Sequence, residues 1–318
     1  MTSRTWVQVS GILVWVFAFA PVPAMAQSRV ADDMAAANAL YSAQRYAEAA
    51  VAYQAVIAAE PAFGEAHFFL ANALDNQYRP SRRGESGNDR LLEAARDHYA
   101  TAADLLVRPD QAVVLKRTLQ YLAAIYGTDK LNQPDEAELV VRRLIALDPH
   151  DLGSHVGLVK IYESAGRLDE AEAVLQQLQL TAPDRVDVWT ASAHFYDRKG
   201  DFDRSMEMFQ RITAIEPDNP TAFYQMAVYF EEKVRKDFAL ERTRQTAYLA
   251  KGLDAIDRAL ALRPDYFEAL TYKNLLVRQQ ARFEANADTQ RQLLEQADAL
   301  QRQAVAVREA QTGRPRRP

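Results

Sequence analysis

Apolar residues recur at three- and four-residue steps in successive short segments of the chain, and each segment ends at a glycine or a proline. Leu158 and Tyr162 precede Gly166, and Leu175 precedes Pro183. This spacing predicts one apolar face on a helix. A glycine supplies the left-handed turn that ends a helix, and proline cannot continue one. The pattern therefore predicts two short antiparallel helices between residues 152 and 185.

The same punctuation returns along the sequence. Pro149, Pro183 and Pro217 follow one another at intervals of 34 residues, and Pro61, Pro109 and Pro264 fit the same period when insertions are allowed for. A fixed period of this size is typical of stacked helix pairs that share one continuous core. We therefore expect an all-α chain without a sheet.

Small and bulky residues alternate at fixed places in these units. The unit from Val186 to Asn219 carries Trp189, Ser192, Ala193, Tyr196, Gly200, Ser205, Phe209, Ile212 and Pro217. These residues resemble the pattern of the tetratricopeptide repeat family. The resemblance covers residues 30–282 and implies a right-handed α-solenoid of about six to seven helix pairs, with a concave surface lined by the first helix of each pair.

Two insertions interrupt the repeats. Asp75–Leu91 is rich in proline, glycine, serine and arginine and predicts a mobile loop. Glu231–Tyr248 is rich in charged residues but keeps apolar ones such as Val234, so either a longer turn or an extension of the helices on either side fits it.

The last part of the chain has no repeat punctuation. Residues 283–311 place Leu293, Ala297, Leu300, Ala304 and Val307 on one seam, which predicts a long helix. Two interpretations stay open: a helix that caps the last repeat, and a coiled-coil dimer seam. Residues 312–318 form a basic tail, which we expect to be frayed.

The amino terminus predicts export. Arg4 precedes the apolar run from Gly11 to Ala20, and Ala24-Met25-Ala26 follows two prolines. This order is typical of a cleavable secretory signal over residues 1–26, cleaved after Ala26. The competing interpretation is a membrane anchor, but the apolar stretch is shorter than the roughly 20 residues that a spanning helix needs. We therefore expect a periplasmic or secreted protein.

Composition narrows the possible chemistry. A formal charge of −5 disfavours nucleic acid as a partner, because a nucleic-acid surface usually needs a basic face. The lack of cysteine excludes disulfides and zinc–thiolate sites. The five histidines show no ligand spacing, and a metal shared by His150 and His155 would lack a third ligand. No nucleophile motif or phosphate-binding glycine loop is present. We predict no catalytic residues, no metal site and no cofactor.

The family resemblance implies that partners bind along the first helices. Asn38 and Asn72 occupy the same place in two Ala-Asn-Ala-Leu segments, where an amide can bond an extended peptide through its donor and acceptor. A clamp for a terminal carboxylate is disfavoured, because Met34, Gln120 and Ala124 stand where positive charge is needed. The candidate groove residues are Asn38, Tyr41, Phe68, Asn72, Asn76, Gln120, Lys160, Thr190, His194, Arg198 and Tyr224.

The leading hypothesis is a scaffold or adaptor of the cell envelope that binds another protein or peptide and is not an enzyme. The alternative is recognition of a glycan or another small molecule by aromatic residues such as Phe68, Trp189 and Tyr224.

Overall fold

The structure, a computed structural model, describes residues 24–313 as fourteen α-helices without a strand. This confirms the prediction of an all-α, tetratricopeptide-like solenoid. Residues 1–23 of the predicted signal and residues 314–318 of the predicted basic tail lie outside this description. None of the helices between Ala24 and Thr312 is both long and apolar enough to cross a bilayer.

The chain forms two units, one up to Ser154 and one from His155 onward. The N-terminal unit contains α1 (Ala24–Ser42), α2 (Tyr46–Ala59), α3 (Gly64–Gln77), α4 (Ser86–Leu105), α5 (Ala112–Ile125) and α6 (Pro134–Leu147). Each of these helices packs on the next one in the chain. The odd-numbered helices are the first helices of the pairs, and the even-numbered ones are the second helices.

The C-terminal unit repeats this arrangement with longer helices toward its end. It contains most of α7 (Leu152–Ser164) and all of α8 (Leu168–Thr181), α9 (Val186–Lys199), α10 (Phe202–Ile215), α11 (Pro220–Lys236), α12 (Arg242–Leu262), α13 (Phe267–Phe283) and α14 (Ala287–Thr312). From α8 to α14, each helix packs on its successor, and α11 also contacts α13.

One place in each second helix holds a small, fully buried residue. The residues at this place are Ala49, Ala95, Ala137, Ala171, Ser205 and Gly252. A Cβ atom on Gly252 would lie 3.2 Å from Cβ of Phe230 and 3.1 Å from Cδ2 of Leu276. The second helix of the sixth pair therefore lies directly against the first helix of its own pair and that of the next pair.

Glycines make the turns inside two pairs, as the sequence predicts. Gly166 and Gly200 both have positive φ, at 73° and 81°. The Gly200 backbone N–H closes α9 on the carbonyl of Asp197, and the Asp201 side chain then accepts from the backbone N–H of Arg204 at the start of α10. A left-handed residue thus reverses the chain within a few residues.

The first insertion differs from its prediction. Much of Asp75–Leu91 is helical, because α3 continues to Gln77 and α4 begins at Ser86. The buried Asn88 side chain fixes the turn between them. Its Oδ1 accepts from the backbone N–H of Arg79 at 2.8 Å, and its Nδ2 donates to the carbonyl oxygens of Arg79 and Arg82, both at 3.1 Å. The connection between α3 and α4 is therefore a short turn held by the Asn88 side chain, and not the long mobile loop that the composition predicted.

Of the two structures that fit the second insertion, the chain adopts longer helices. Helix α11 extends to Lys236, α12 begins at Arg242, and only a short turn separates them. Phe238 is the most exposed large apolar residue in the described part of the chain, and it lies in this turn.

The predicted C-terminal seam packs on the preceding helix. Ala297, Leu300 and Ala304 of α14 form one buried cluster with Leu270 and Val277 of α13. The other two seam residues, Leu293 and Val307, pack against the edge of the same cluster. The seam is therefore used within the C-terminal unit, which is the arrangement that a capping helix requires.

Two glycines of the C-terminal unit should respond to alanine in opposite ways. Gly200 has a left-handed backbone, so Gly200→Ala should lower the free energy of unfolding by about 1–2 kcal/mol. Gly157 lies inside α7 with open space where a Cβ would stand, so Gly157→Ala should raise it by roughly 0.5–1 kcal/mol. Urea unfolding of both variants measures the difference, and shifts of the same sign would contradict the assigned turn.

Candidate functional site

The first helices of the N-terminal unit meet through polar and aromatic side chains. Asn76 of α3 donates its Nδ2 to the hydroxyl of Tyr41 on α1 at 3.3 Å and to the backbone carbonyl of Asn72 at 2.8 Å. The Tyr41 ring meets the Phe69 ring edge to face, with centroids 6.1 Å apart. We call the surface of α1, α3 and α5 that contains Tyr41, Asn76 and Tyr121 the N-terminal face.

An ion pair ties the turn after α5 to the end of α3. The Lys130 ammonium lies 2.6 Å and 2.8 Å from the two carboxylate oxygens of Asp75. Both side chains are mostly buried, at 19% and 14% exposed. Lys130 places a positive charge near the N-terminal face, although the first helices carry none at the positions of the family's carboxylate clamp.

Tyr99 of α4 lies beneath the N-terminal face. Its ring is fully buried, parallel to the exposed ring of Tyr121 at 5.7 Å between centroids, and 6.1 Å from the ring of Phe68. Its hydroxyl has no hydrogen-bond partner in the part of the chain that the structure describes. Burial raises the pKa of Tyr99 strongly, and the negative charge of Asp75 raises it further. The group is therefore a neutral donor.

The preceding pair shows how such a hydroxyl is normally satisfied. Tyr53 is also fully buried, and its hydroxyl donates to Oδ1 of Asn38 at 2.8 Å. Tyr53 and Tyr99 hold the same place, four residues after the small residue of their second helices. Asn72 holds the place of Asn38, yet it donates its Nδ2 to the backbone carbonyl of Phe68 at 3.2 Å.

The predicted groove residues differ in exposure. In the N-terminal unit Asn76 and Gln120 are exposed, Asn38 and Tyr41 are half-buried, and Phe68 and Asn72 are buried. Phe68 and Asn72 thus lie in the core between α3 and its neighbours, and their side chains present little surface to a partner. The role of these residues in binding stays a prediction.

In the C-terminal unit, charged and polar side chains join successive first helices. Arg198 of α9 forms a bidentate ion pair with Glu163 of α7, in which Nε and Nη2 donate to the two carboxylate oxygens at 3.0 Å and 2.9 Å. Glu231 of α11 is 3% exposed and accepts from Nε2 of Gln279 on α13 at 2.5 Å. Among the predicted residues of this unit, Lys160 and Arg198 are exposed, and Thr190, His194 and Tyr224 are half-buried.

The aromatic residues that suggested glycan binding are engaged within the chain. The Tyr224 ring packs between Tyr266 and Tyr272, and burial is the main cause that raises its pKa to about 12. The Trp189 indole donates to the carbonyl of Pro183 at 2.7 Å. The Tyr224 ring therefore joins α11 to α13, and the Trp189 side chain is bonded to the turn before its own helix.

Among the described residues, no three His, Asp or Glu side chains lie close enough together to hold a metal ion. His67 and His98 do meet, with their Nδ1 atoms 3.0 Å apart, and Nε2 of His67 lies 3.1 Å from the carbonyl of Pro61. Because a carbonyl only accepts, His67 carries its proton on Nε2, and Nδ1 of His98 is the donor within the pair.

Comparison with known families now identifies the repeats. Residues 130–195 match one model of the tetratricopeptide repeat family, and residues 186–219 match another. Residues 130–219 therefore contain tetratricopeptide repeats. Such repeats are non-catalytic protein-interaction modules, so this part of the chain is a protein-interaction scaffold.

Solved structures with similar helix arrangements share little sequence with this chain. A MamA protein is 13% identical, with 64% of this chain and 98% of that one covered and a TM-score of 0.42. YrrB, described as a TPR protein with an unusual peptide-binding site, is 18% identical, with 61% and 89% covered and a TM-score of 0.38. MamA from Desulfovibrio magneticus RS-1 is 12% identical, with 59% and 95% covered and a TM-score of 0.38. No curated protein matches the sequence.

Three residues in, beneath or beside the N-terminal face are not among the groove residues predicted from the sequence: Tyr99, Tyr121 and Lys130. A usable signal was present for Tyr99, because the Asn38–Tyr53 pair has a counterpart in Asn72 and Tyr99 once the longer turn of the second pair is allowed for. No such signal marks Lys130, whose position depends on the fold of a turn.

His194 should make the C-terminal unit sensitive to acid. Burial, helped by the positive charge of Arg198, lowers the pKa of His194 below its ordinary value of 6.5. The unfolded chain therefore binds this proton first as the pH falls. The stability that depends on neutral His194 is complete above about pH 6.5 and is lost as the pH drops from there toward the folded pKa. An NMR titration of the histidine ring protons should place the His194 midpoint below 6.5.

The matched variant is His194→Gln, which keeps a polar side chain without a titrating ring. Between pH 7 and pH 5 it should lose less free energy of unfolding than the parent protein, with His98 present in both. A His194 midpoint at or above 6.5 contradicts this prediction.

Proposed function

We propose that this protein is an exported scaffold of the cell envelope that holds an extended segment or a helix of another protein along the first helices of its repeats. The observation that carries the proposal is the chemistry of the N-terminal face. Asn76 and Tyr121 are exposed there beside the half-buried Tyr41, so amide, hydroxyl and aromatic groups lie together on one surface.

This combination suits a polypeptide more than a small ligand. A peptide backbone presents alternating donors and acceptors, and the amide oxygen of Asn76 can accept from a backbone N–H while its Nδ2 holds Tyr41 and the Asn72 carbonyl. Exposed tyrosine rings add apolar contact area at low cost in conformational entropy, and aromatic residues are enriched where proteins bind each other. The exposed cations Lys160 and Arg198 supply comparable polar groups on first helices of the C-terminal unit.

The envelope setting rests on the amino-terminal sequence, where a basic residue, a short apolar run and Ala24-Met25-Ala26 form the pattern of an export signal. A cleaved signal would release the repeats outside the cytoplasm, where their partner would also reside.

The export proposal predicts a defined mature end. When the full chain is produced in a bacterium, the protein should be recovered from the periplasm or medium with Gln27 as its first residue, as read by N-terminal sequencing. Ala26→Arg should block processing, because the cleavage site requires a small side chain. Wild-type protein that stays in the cytoplasm with residues 1–26 attached would refute export.

The binding proposal predicts where a partner touches the chain. Photo-crosslinking residues placed in cells at Tyr121 and Asn76 should each give a discrete adduct with one partner protein. The same residues placed at Gln54 and Thr101, which are exposed on second helices, serve as controls and should give none. Mass spectrometry of the adducts identifies the partner.

An adduct confined to Gln54 or Thr101 would place binding on the second helices and refute the proposed face. A circular dichroism melt of each substituted protein shows whether the repeats are intact before the adducts are compared.

A further inference from the structure

One buried donor in the N-terminal unit is left without a partner. The hydroxyl of Tyr99 is shielded from solvent and makes no hydrogen bond to any described residue. Leaving a buried hydroxyl unsatisfied is costly, and the great majority of buried polar groups are paired. The equivalent hydroxyl of Tyr53 is paired with Asn38, so the fold of a helix pair does not itself require the donor to be left over.

The surroundings of this hydroxyl point toward the N-terminal face. The charges and hydroxyls that act on Tyr99 belong to Asp75, Tyr121 and Tyr41, which come from the three first helices of this unit. The Tyr121 ring, 43% exposed, lies parallel to the Tyr99 ring on the solvent side. Tyr121 is thus the exposed side chain that stacks on the Tyr99 ring, and exposed side chains change rotamer on fast timescales.

We propose that the Tyr99 hydroxyl is the hydrogen-bond donor for a backbone carbonyl of a polypeptide bound on the N-terminal face, reached when Tyr121 turns aside. This inference rests on the proposed function and names one contact within it. The ligand group is a neutral acceptor, because the nearby ion pair of Asp75 and Lys130 has no net charge that would favour an anion. Lys130 already neutralises the Asp75 carboxylate, so a cationic ligand gains little there.

The chemistry explains the difference between two otherwise equivalent pairs. In the first pair the asparagine amide oxygen satisfies the tyrosine. In the second pair Asn72 makes its bond within α3, to the Phe68 carbonyl, and the tyrosine keeps its donor. A carbonyl of the bound peptide would accept from the Tyr99 hydroxyl, just as Asn38 accepts from the Tyr53 hydroxyl within the chain.

The test uses the full chain and a random library of 12-residue peptides with acetylated and amidated ends. Peptides that crosslink to a photoreactive residue at position 76 are retained, and their dissociation constants are measured for the parent protein, Tyr99→Phe and Tyr53→Phe. Tyr99→Phe removes only the hydroxyl and should weaken binding roughly tenfold, the effect of one lost hydrogen bond in a desolvated site. Tyr53→Phe makes the same chemical change one pair away and should leave the dissociation constant unchanged.

Thermal unfolding separates this role from a structural one. Tyr53→Phe should lower the unfolding midpoint by on the order of 2–4 °C, because Asn38 loses its partner. Tyr99→Phe should not lower it, since no internal bond is lost. Equal peptide affinity in Tyr99→Phe and the parent protein overturns the proposal, whether or not the unfolding midpoint of Tyr99→Phe falls. If no library peptide binds the parent protein, both this inference and peptide binding by this face are refuted.

Discussion

The close approach of each second helix to the first helices beside it is the constraint on which the rest of this structure depends. At Gly252 there is no room for an added carbon without displacing Phe230 or Leu276, and the equivalent alanines and serine of other pairs are fully buried. A larger side chain at such a place costs on the order of 1–3 kcal/mol and pushes the helices apart. Because the pairs stack through these contacts, the spacing of the first helices is set by the size of residues on the second ones.

That spacing keeps neighbouring first helices within reach of each other's polar side chains. Held at a fixed distance, they are joined by Asn76 with Tyr41 in one unit and by Arg198 with Glu163 in the other. Exposed ion pairs contribute little to stability, and Arg198 is half exposed. Such groups can therefore exchange an internal partner for a ligand at small energetic cost, whereas the buried apolar residues between the helices keep the repeats folded.

The fold was readable from the sequence because small residues, glycine turns and helix-ending prolines act locally. Gly200 adopts the left-handed turn its position implied, and the seam at Ala297 and Leu300 packs as a helix face. The Asp75–Leu91 segment was predicted as a mobile loop from its composition. Composition does not record that Asn88 bonds the backbone N–H and carbonyl of Arg79 and so holds the turn.

The candidate site was harder to predict than the helices. Phe68 lies buried although it was expected in the groove, because helix periodicity gives a face only to within one or two neighbouring positions. Tyr99 belongs to a second helix, which a search along first helices excludes. Lys130 reaches Asp75 from across a turn, and the course of a turn depends on tertiary contacts that no local pattern records.

Packing between consecutive helices has a consequence for how each unit comes apart. Since the main contacts of a helix are with the helix before and the helix after it, each unit is held together chiefly by contacts between neighbouring helices. Cooperativity in such a linear arrangement is carried across one interface at a time. Fraying can therefore begin at an outer helix and stop at any interface inward, leaving the remaining pairs intact, and amide hydrogen exchange should record this as protection graded along the unit.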